Sequence, residues 1–295
     1  MSIFIDERTR VLVLGITGRE GSFWTRHMKE MGTDIRAGVT PGKEGQSVEG
    51  IPVFDTVRRA LAEHEADAAL LFVPPRATLD AVLEVLDAGI RKIVTVSEGV
   101  PLHETLAIRR ASRMHGAMVV GGNTSGVISP GRAMMGIFPY WIERVYRPGR
   151  IGVMTRSGSL TNEVTAMAVA AGLGVSTLVG VGGDTVPGTR FAELLPLFQA
   201  DGETEAVLLI GEIGGTMEEE AADCVLSGTF SKPLVAFLAG RWAPEGVRMG
   251  HAGAIISGGA GSVQHKIERL RLAGALVAER PSLVGALLTK ALGAK

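Results

Sequence analysis

One histidine of the six stands apart by its surroundings. His251 lies in Arg248-Met249-Gly250-His251-Ala252-Gly253-Ala254-Ile255-Ile256, with Ser257-Gly258-Gly259-Ala260-Gly261 behind it. Small neighbours on both sides leave the imidazole open, as a nucleophile requires. A structural histidine is normally packed among bulkier side chains, and the local sequence alone weighs a functional and a structural role about equally. His27, His64, His103, His115 and His265 sit in helical or surface-like contexts without metal-ligand spacing. They read as solvated or structural, and no metal site is expected. Two further segments would serve a nucleophile at position 251. Ile210-Gly211-Glu212-Ile213-Gly214-Gly215 puts Glu212 at the carboxyl end of a strand. Its carboxylate there could hold an imidazole's second nitrogen and fix the tautomer, or simply cap a backbone amide. Thr155-Arg156-Ser157-Gly158-Ser159-Leu160 follows a strand and opens a helix, so Ser157, Gly158 and Ser159 offer amides and hydroxyls to an anion. G-x-S-x-G does not occur around Ser157, which excludes a serine-hydrolase elbow.

A second glycine loop lies near the N-terminus. Gly15-Ile16-Thr17-Gly18-Arg19-Glu20-Gly21 joins a strand to a helix, an arrangement that turns backbone N–H groups toward a phosphate. Its spacing is G-x-x-G-x-x-G rather than the dinucleotide G-x-G-x-x-G, and a plain tight turn would also explain it. A NAD site places an acid about 20 residues further on, against the ribose hydroxyl. Here Val39-Thr40-Pro41-Gly42-Lys43 presents a lysine instead, while Asp34 is at the wrong end of its strand. A cation suits a phosphorylated ribose, as in NADP or coenzyme A, although Lys43 taken alone also reads as a solvated loop lysine.

The elements that must position these groups alternate along the chain. Strands are predicted at 11–14, 35–39, 68–73, 93–96 and 118–120, with a helix from the first glycine loop to about Glu30 and another at 77–87 ended by Gly89. A second series has strands at 151–154, 176–179, 206–210, 234–238 and 276–277, and helices at 159–171, 191–199, 217–226, 262–273 and 282–292. Continuous apolar strands between helices mean parallel sheets covered on both faces. The fold class is therefore α/β: two doubly wound units in tandem, with ligands at the carboxyl ends of strands. Residues 121–149 lapse into Gly, Pro, Ser and aromatics, so the division is read as a first domain at 1–121, a junction at 122–149 and a second domain at 150–295.

Composition removes other classes. Thirty Lys and Arg against 31 Asp and Glu leave a net charge of −1, so no nucleic-acid or anionic-membrane partner is expected. The apolar stretch 166–183 is broken by Gly172 and Gly174 and does not read as a membrane span. Met1-Ser2-Ile3-Phe4-Ile5-Asp6-Glu7-Arg8 has no basic region followed by an apolar run, and Cys224 is the sole cysteine. A cytoplasmic protein without disulfides is expected, with Cys224 a packed small hydrophobe. Forty glycines among 295 residues, nearly twice the usual share of about 7%, point to tight turns or to backbone that approaches a ligand closely.

Over essentially its full length the chain resembles the α subunit of succinyl-CoA synthetase and related acid–CoA ligases. The matching blocks are the loops at 15–21 and 38–43, Arg156-Ser157-Gly158-Ser159-Leu160-Thr161, Gly182-Gly183-Asp184, the Glu212 segment and the His251 segment. The resemblance implies an N-terminal Rossmann-like CoA-binding domain followed by a flavodoxin-like ligase domain. It implies that Thr17, Gly18, Arg19, Glu20, Lys43, Val96, Ser97 and Glu98 line coenzyme A. It further implies that His251 is phosphorylated with Glu212 as its partner, and that Ser157, Gly158 and Ser159 hold the phosphoryl group. A separate ATP-grasp β subunit would bind ATP or GTP with Mg²⁺, in an αβ or (αβ)₂ assembly serving the tricarboxylic acid cycle.

Three departures fall where the family holds its organic acid. Gly121-Gly122-Asn123-Thr124-Ser125-Gly126 replaces G-P-N-C-P-G, Asn162 replaces a Tyr in T-L-T-Y-E, and Phe138-Pro139-Tyr140-Trp141 replaces P-G-H. Asn162, Thr124 and Ser125 add hydrogen-bonding groups that the methylenes of succinate do not use. The substrate is accordingly expected to be succinate or a polar or hydroxylated dicarboxylate such as malate; drift in a redundant paralog would produce the same changes. Two readings compete: a non-catalytic, CoA-responsive regulatory paralog, and an NADP-binding oxidoreductase. Retention of His251, Glu212 and the Ser157 loop argues against the first. The second leaves the whole C-terminal half unexplained.

Overall fold

The computed structural model describes residues 2–256 and 261–293, and the chain divides into two compact units. Phe4–Phe138 and Val186–Thr189 form the first; Met1–Ile3, Pro139–Thr185 and Arg190–Lys295 form the second.

The first unit runs β1 (Arg10–Leu14), α1 (Arg19–Met31), β2 (Asp34–Val39), β3 (Ser47–Val48), β4 (Ile51–Phe54), α2 (Val57–Glu63), β5 (Ala68–Leu71), α3 (Thr78–Asp87), β6 (Lys92–Thr95), α4 (Leu102–Met114) and β7 (Met118–Gly121). Its sheet is ordered β3-β4-β2-β1-β5-β6-β7 and is parallel except for the short β3. Without β3 the strands follow the dinucleotide-fold order 3-2-1-4-5-6, whose direction of winding reverses between β1 and β5. The β1 run Val11-Leu12-Val13-Leu14 and all of β5 are buried, because helices cover both faces. α3 turns Ala81, Val82, Val85 and Leu86 inward, and Gly89, at φ +96°, ends it by donating to the Leu86 carbonyl.

Two strands lie in the segment expected to be a junction. β8 (Gly126–Ser129) and β9 (Ala133–Gly136) form an antiparallel, fully buried hairpin. The Gly- and Ser-rich composition that reads as a linker has a different cause. Gly126 and Gly136 face each other, and a Cβ on either would stand about 2 Å from a carbonyl oxygen of the opposite strand. The boundary between the units falls at Phe138.

The second unit runs β10 (Pro148–Thr155), α5 (Gly158–Ala170), β11 (Val175–Gly180), α6 (Phe191–Ala200), β12 (Ala206–Glu212), α7 (Met217–Leu226), β13 (Leu234–Ala239), α8 (Val263–Leu272), β14 (Leu276–Ala278) and α9 (Val284–Ala291). These five strands pair in parallel as β11-β10-β12-β13-β14, the flavodoxin order 2-1-3-4-5 with its switch point between β10 and β12. Every residue of β12 is buried, and α6 buries Phe191, Leu194, Leu195 and Phe198. Each such side chain contributes about 1.5–3 kcal/mol on leaving water. Among the described residues no helix is long and apolar enough to cross a membrane.

Candidate functional site

In the second unit, the carboxyl ends of β10, β11 and β12 bring the candidate residues together. His251 sits in a turn closed by hydrogen bonds from Met249 N to Ala254 O and from Gly253 N to Gly183 O, the latter in the loop after β11. Its Nδ1 lies 2.9 Å from each carboxylate oxygen of Glu212, the last residue of β12. An ionised carboxylate only accepts, so Nδ1 carries the proton in this contact. The imidazole side chain is 27% exposed while that of Glu212 is 9% exposed, so the ring is anchored from its buried side. Residues 257–260, the glycine-rich run behind the histidine, lie outside the described residues.

Gly183 shows how tightly the ring is seated. A Cβ there would stand 2.3 Å from His251 Cγ and 2.7 Å from Nδ1, and the φ of Gly183 lies outside the left-handed region. Alanine therefore suits the backbone but not the ring. Gly183→Ala is expected to leave the melting temperature near that of the wild type while displacing the imidazole from Glu212. A displacement of about 1 Å costs on the order of 10²-fold in rate. Comparing the Nδ1 proton resonance of His251 with the thermal melt checks this; an unchanged resonance contradicts it.

Behind Glu212 lies a group of buried charges. Arg156, just past β10, has its Nε 3.4 Å from Glu212 Oε1 and its Nη1 3.5 Å from Glu218 Oε1. It also donates from Nη1 to the carbonyls of Gly214 (2.7 Å) and Ile213 (3.3 Å). Glu218 in α7 accepts from the Glu212 amide at 3.2 Å and pairs with Lys266 of α8, and both of these side chains are 0% exposed. Burial by itself would push the Glu218 carboxyl up. The charges of Lys266 and Arg156, with hydrogen bonds from Lys266 and the Glu212 amide, instead hold it below the usual carboxylate range. The sequence alone signals no role for Arg156, Glu218 or Lys266. The first turn of a helix written Glu218-Glu219-Glu220 looks solvated, and nothing local signals a lysine 48 positions away.

Ser157, Gly158 and Ser159 start α5. Ser157 is its N-cap, accepting from Leu160 N at 3.4 Å, and its hydroxyl lies 3.4 Å from that of Ser159. Thr161 ties this turn to the strand end by donating to Ser157 O and lying 2.9 Å from Thr155 Oγ1. Further along α5, Asn162 Oδ1 accepts from the Tyr146 hydroxyl, which leaves its NH₂ to donate. Burial raises the Tyr146 phenol well above its ordinary range, so the hydroxyl keeps its proton. A cleft of about 570 Å³ opens here, lined by Ile142, Arg144, Ser159, Asn162, Glu163 and Met167 among others.

In the first unit, the residues singled out in the sequence lie at the carboxyl ends of three parallel strands of one sheet. Thr17, Gly18, Arg19 and Glu20 follow β1, Lys43 follows β2, and Val96, Ser97 and Glu98 follow β6. The loop after β1 is compressed. A Cβ on Gly15, at φ +76°, would meet Phe72 O at 2.2 Å, and one on Gly21 would meet Gly15 O at 2.2 Å. Gly18 caps α1 without a side-chain bond, which leaves the first-turn amides to an outside acceptor. Arg19, Glu20, Lys43 and Glu98 are exposed; Ser97 is buried, its hydroxyl donating to Val73 O at 2.6 Å. Thr124, in the turn before β8, is buried with its oxygen accepting from Gly126 N at 2.9 Å, and the Ser125 carbonyl accepts from Ile137 N. Cys224 on α7 is half-buried, and burial pushes its thiol up.

Two strand-order switch points, one with a compressed glycine loop and one with an anchored histidine, describe a ligand-binding domain joined to a group-transfer domain. Residues 6–99 match the CoA binding domain and residues 154–276 match the CoA-ligase family. Over 288 residues the chain is 68% identical to the ADP-forming sulfoacetate-CoA ligase subunit SqwL of an Acholeplasma species, covering 98% of this chain and 97% of that one. It is 64% identical over 293 residues to the corresponding subunit SauD of Bilophila wadsworthia, covering 99% and 100%. It is 50% identical over 279 residues to the succinate–CoA ligase [ADP-forming] subunit alpha 1 of Archaeoglobus fulgidus, covering 95% and 94%. The chain belongs to the family of acid–CoA ligase α subunits typified by succinate–CoA ligase, with a CoA-binding domain ahead of its ligase domain.

Proposed function

We propose that this chain is the α subunit of an ADP-forming ligase that joins sulfoacetate to CoA, with His251 carrying the phosphoryl group between nucleotide and acid. The observation that supports the carrier role is the His251–Glu212 pair. A carboxylate bound to Nδ1 keeps the proton there and leaves Nε2 as the nucleophile. A carboxylate oxygen is a poor leaving group, and phosphorylation by way of His251 turns it into phosphate. Nε2 takes the phosphoryl group from the nucleoside triphosphate and breaks its bond to the diphosphate. It then gives the group to the substrate carboxylate, making an acyl phosphate. The amides and hydroxyls of Ser157, Gly158 and Ser159 are assigned to the phosphoryl oxygens at the start of α5, where positioning and charge do most of the work in such transfers. Glu212 stabilises the imidazole in each state.

CoA supplies the thiol that displaces phosphate from the acyl group. Thr17, Gly18, Arg19, Glu20, Lys43, Val96, Ser97 and Glu98 are assigned to it. The compressed loop at 15–21, the uncapped start of α1 and the exposed Lys43 fit an anionic ligand with several phosphates. Nucleotide and Mg²⁺ are assigned to an ATP-grasp β subunit in an αβ or (αβ)₂ complex, because the relatives are named as subunits.

The choice of acid follows the relatives named for sulfoacetate, which stand at 68% and 64% identity against 50% for the one named for succinate. It also follows the chemistry of the departures. Sulfoacetate carries a carboxylate that can be activated and a sulfonate that stays ionised and accepts through three oxygens. Asn162 is assigned to this acid: a small amide donor and acceptor suits a compact sulfonate where a tyrosine would not. Succinate and malate are the competing acids. With the native partner present, kcat/KM across a panel of acids is expected to be highest for sulfoacetate. Asn162→Tyr is expected to lower it for sulfoacetate about tenfold, or ~1.4 kcal/mol. Succinate leading the panel with the unaltered chain contradicts this choice.

A further inference from the structure

Four charged side chains are buried behind His251 and alternate in sign. Glu212 meets the imidazole at 2.9 Å, Arg156 Nε meets Glu212 at 3.4 Å, Glu218 lies 3.5 Å from Arg156 Nη1, and Lys266 pairs with Glu218. Buried ion pairs are weak sources of stability, since desolvation offsets most of their attraction. Two completely buried charges therefore need another explanation. We propose that Glu218 and Lys266 are positioning residues for the His251–Glu212 pair. They hold Glu212 through its own amide and through Arg156, and they keep the charge behind the imidazole balanced.

The contacts converge on Glu212 from three sides. Glu218 Oε1 accepts from the Glu212 amide and so fixes the end of β12. The Gly214 carbonyl accepts from both Arg156 Nη1 (2.7 Å) and Lys266 Nζ (2.9 Å), clamping the two residues after Glu212. Gly211 makes the room, since a Cβ there would meet Glu218 Oε1 at 2.6 Å. The balance is two cations, Arg156 and Lys266, against two anions, Glu212 and Glu218. Further charged or titratable groups surround the site. Asp184 is buried in the loop after β11 beside Gly253, and Arg248 Nε donates to His251 O at 3.3 Å. Glu219 of α7 lies 3.6 Å from Lys266 Nζ and 3.3 Å from His265 of α8.

The balance predicts opposite effects from two uncharged replacements. Glu218→Gln leaves two cations against one anion and disfavours a second proton on His251. Lys266→Met leaves one cation against two anions and favours it. The test is a proton NMR titration of the His251 ring in the full chain, with folding followed by circular dichroism and thermal melting. The midpoint is expected to fall in E218Q and to rise in K266M, each by about half to one pH unit, and to return close to wild type in the double variant. Should E218Q not fold, K266M still has to titrate above the double variant. Midpoints that move together, or do not move, overturn the proposal, because lost packing has no reason to act with opposite signs. The titration does not depend on the phosphoryl-carrier reading. Only the kinetic arm rests on it: both single variants, assayed with the partner subunit, are expected to slow phosphorylation at least tenfold with CoA affinity unchanged. If wild-type chain takes no label at His251, the carrier reading fails while the titration still decides the positioning role.

Discussion

Replacing His251 by Asn is expected to abolish phosphorylation of the chain and to lower CoA thioester formation by at least about 10⁴-fold, or ~5.5 kcal/mol of transition-state stabilisation. Asparagine offers Glu212 a donor of similar reach, but its amide nitrogen has no lone pair free to take a phosphoryl group. The cost to stability is expected to be small, about 0.5 kcal/mol, because His251 sits partly exposed in a loop. CoA affinity should be unchanged, since the loop assigned to CoA lies in the other unit. Labelled ATP with the partner subunit, an assay for CoA thioester and a calorimetric titration with CoA together check all three parts. A His251→Asn chain that still turns over contradicts the carrier role.

Glu212→Gln is expected to be nearly as severe. The side chain keeps its size but gains an N–H group, and only one oxygen is left to accept. When the amide nitrogen faces the ring, the imidazole must move its proton from Nδ1 to Nε2, which blocks the nitrogen that takes the phosphoryl group. In a serine protease triad the corresponding acid-to-amide change costs about 10⁴-fold. Here a loss of about 10²–10⁴-fold in the phosphorylation rate is expected, because one of the two oxygens that contact Nδ1 survives. Loss of the Glu212 charge also leaves the buried Arg156 guanidinium with Glu218 as its remaining ion pair given above, so some loss of stability should accompany it. Glu212→Asp keeps the charge, and partial recovery of the rate by that variant separates the carboxylate's role from packing.

Much of this was legible in the residues, for physical reasons that also explain what was not. Runs such as Val11-Leu12-Val13-Leu14 and 206–210 are apolar throughout because both faces of their sheets are covered, and their places in the chain agree with β1 and β12. The helix at Met217–Leu226 is bounded as its periodicity predicts. The β8–β9 hairpin escaped notice because Gly126 and Gly136, which let two backbones touch, look in one dimension like linker residues. The short β3 and β4 and the helix α2 carry too few residues to show a period. At the site, His251 and Glu212 were legible because small residues isolate each of them. Glu218 and Lys266 were not, because a buried pair made by two helices has the same local signature as two solvated surface charges.

The role proposed for His251 is that its Nε2 carries phosphoryl from nucleotide to acid. Its most direct test is to incubate the chain and its native partner with γ-labelled ATP, digest, and locate the phosphate by mass spectrometry. An acid-labile, base-stable phosphate is expected on His251, lost when sulfoacetate and CoA are added together, and absent from the Glu212→Gln chain at short times. Phosphate on another residue, or thioester formed at full rate with no phosphate on His251, would contradict it.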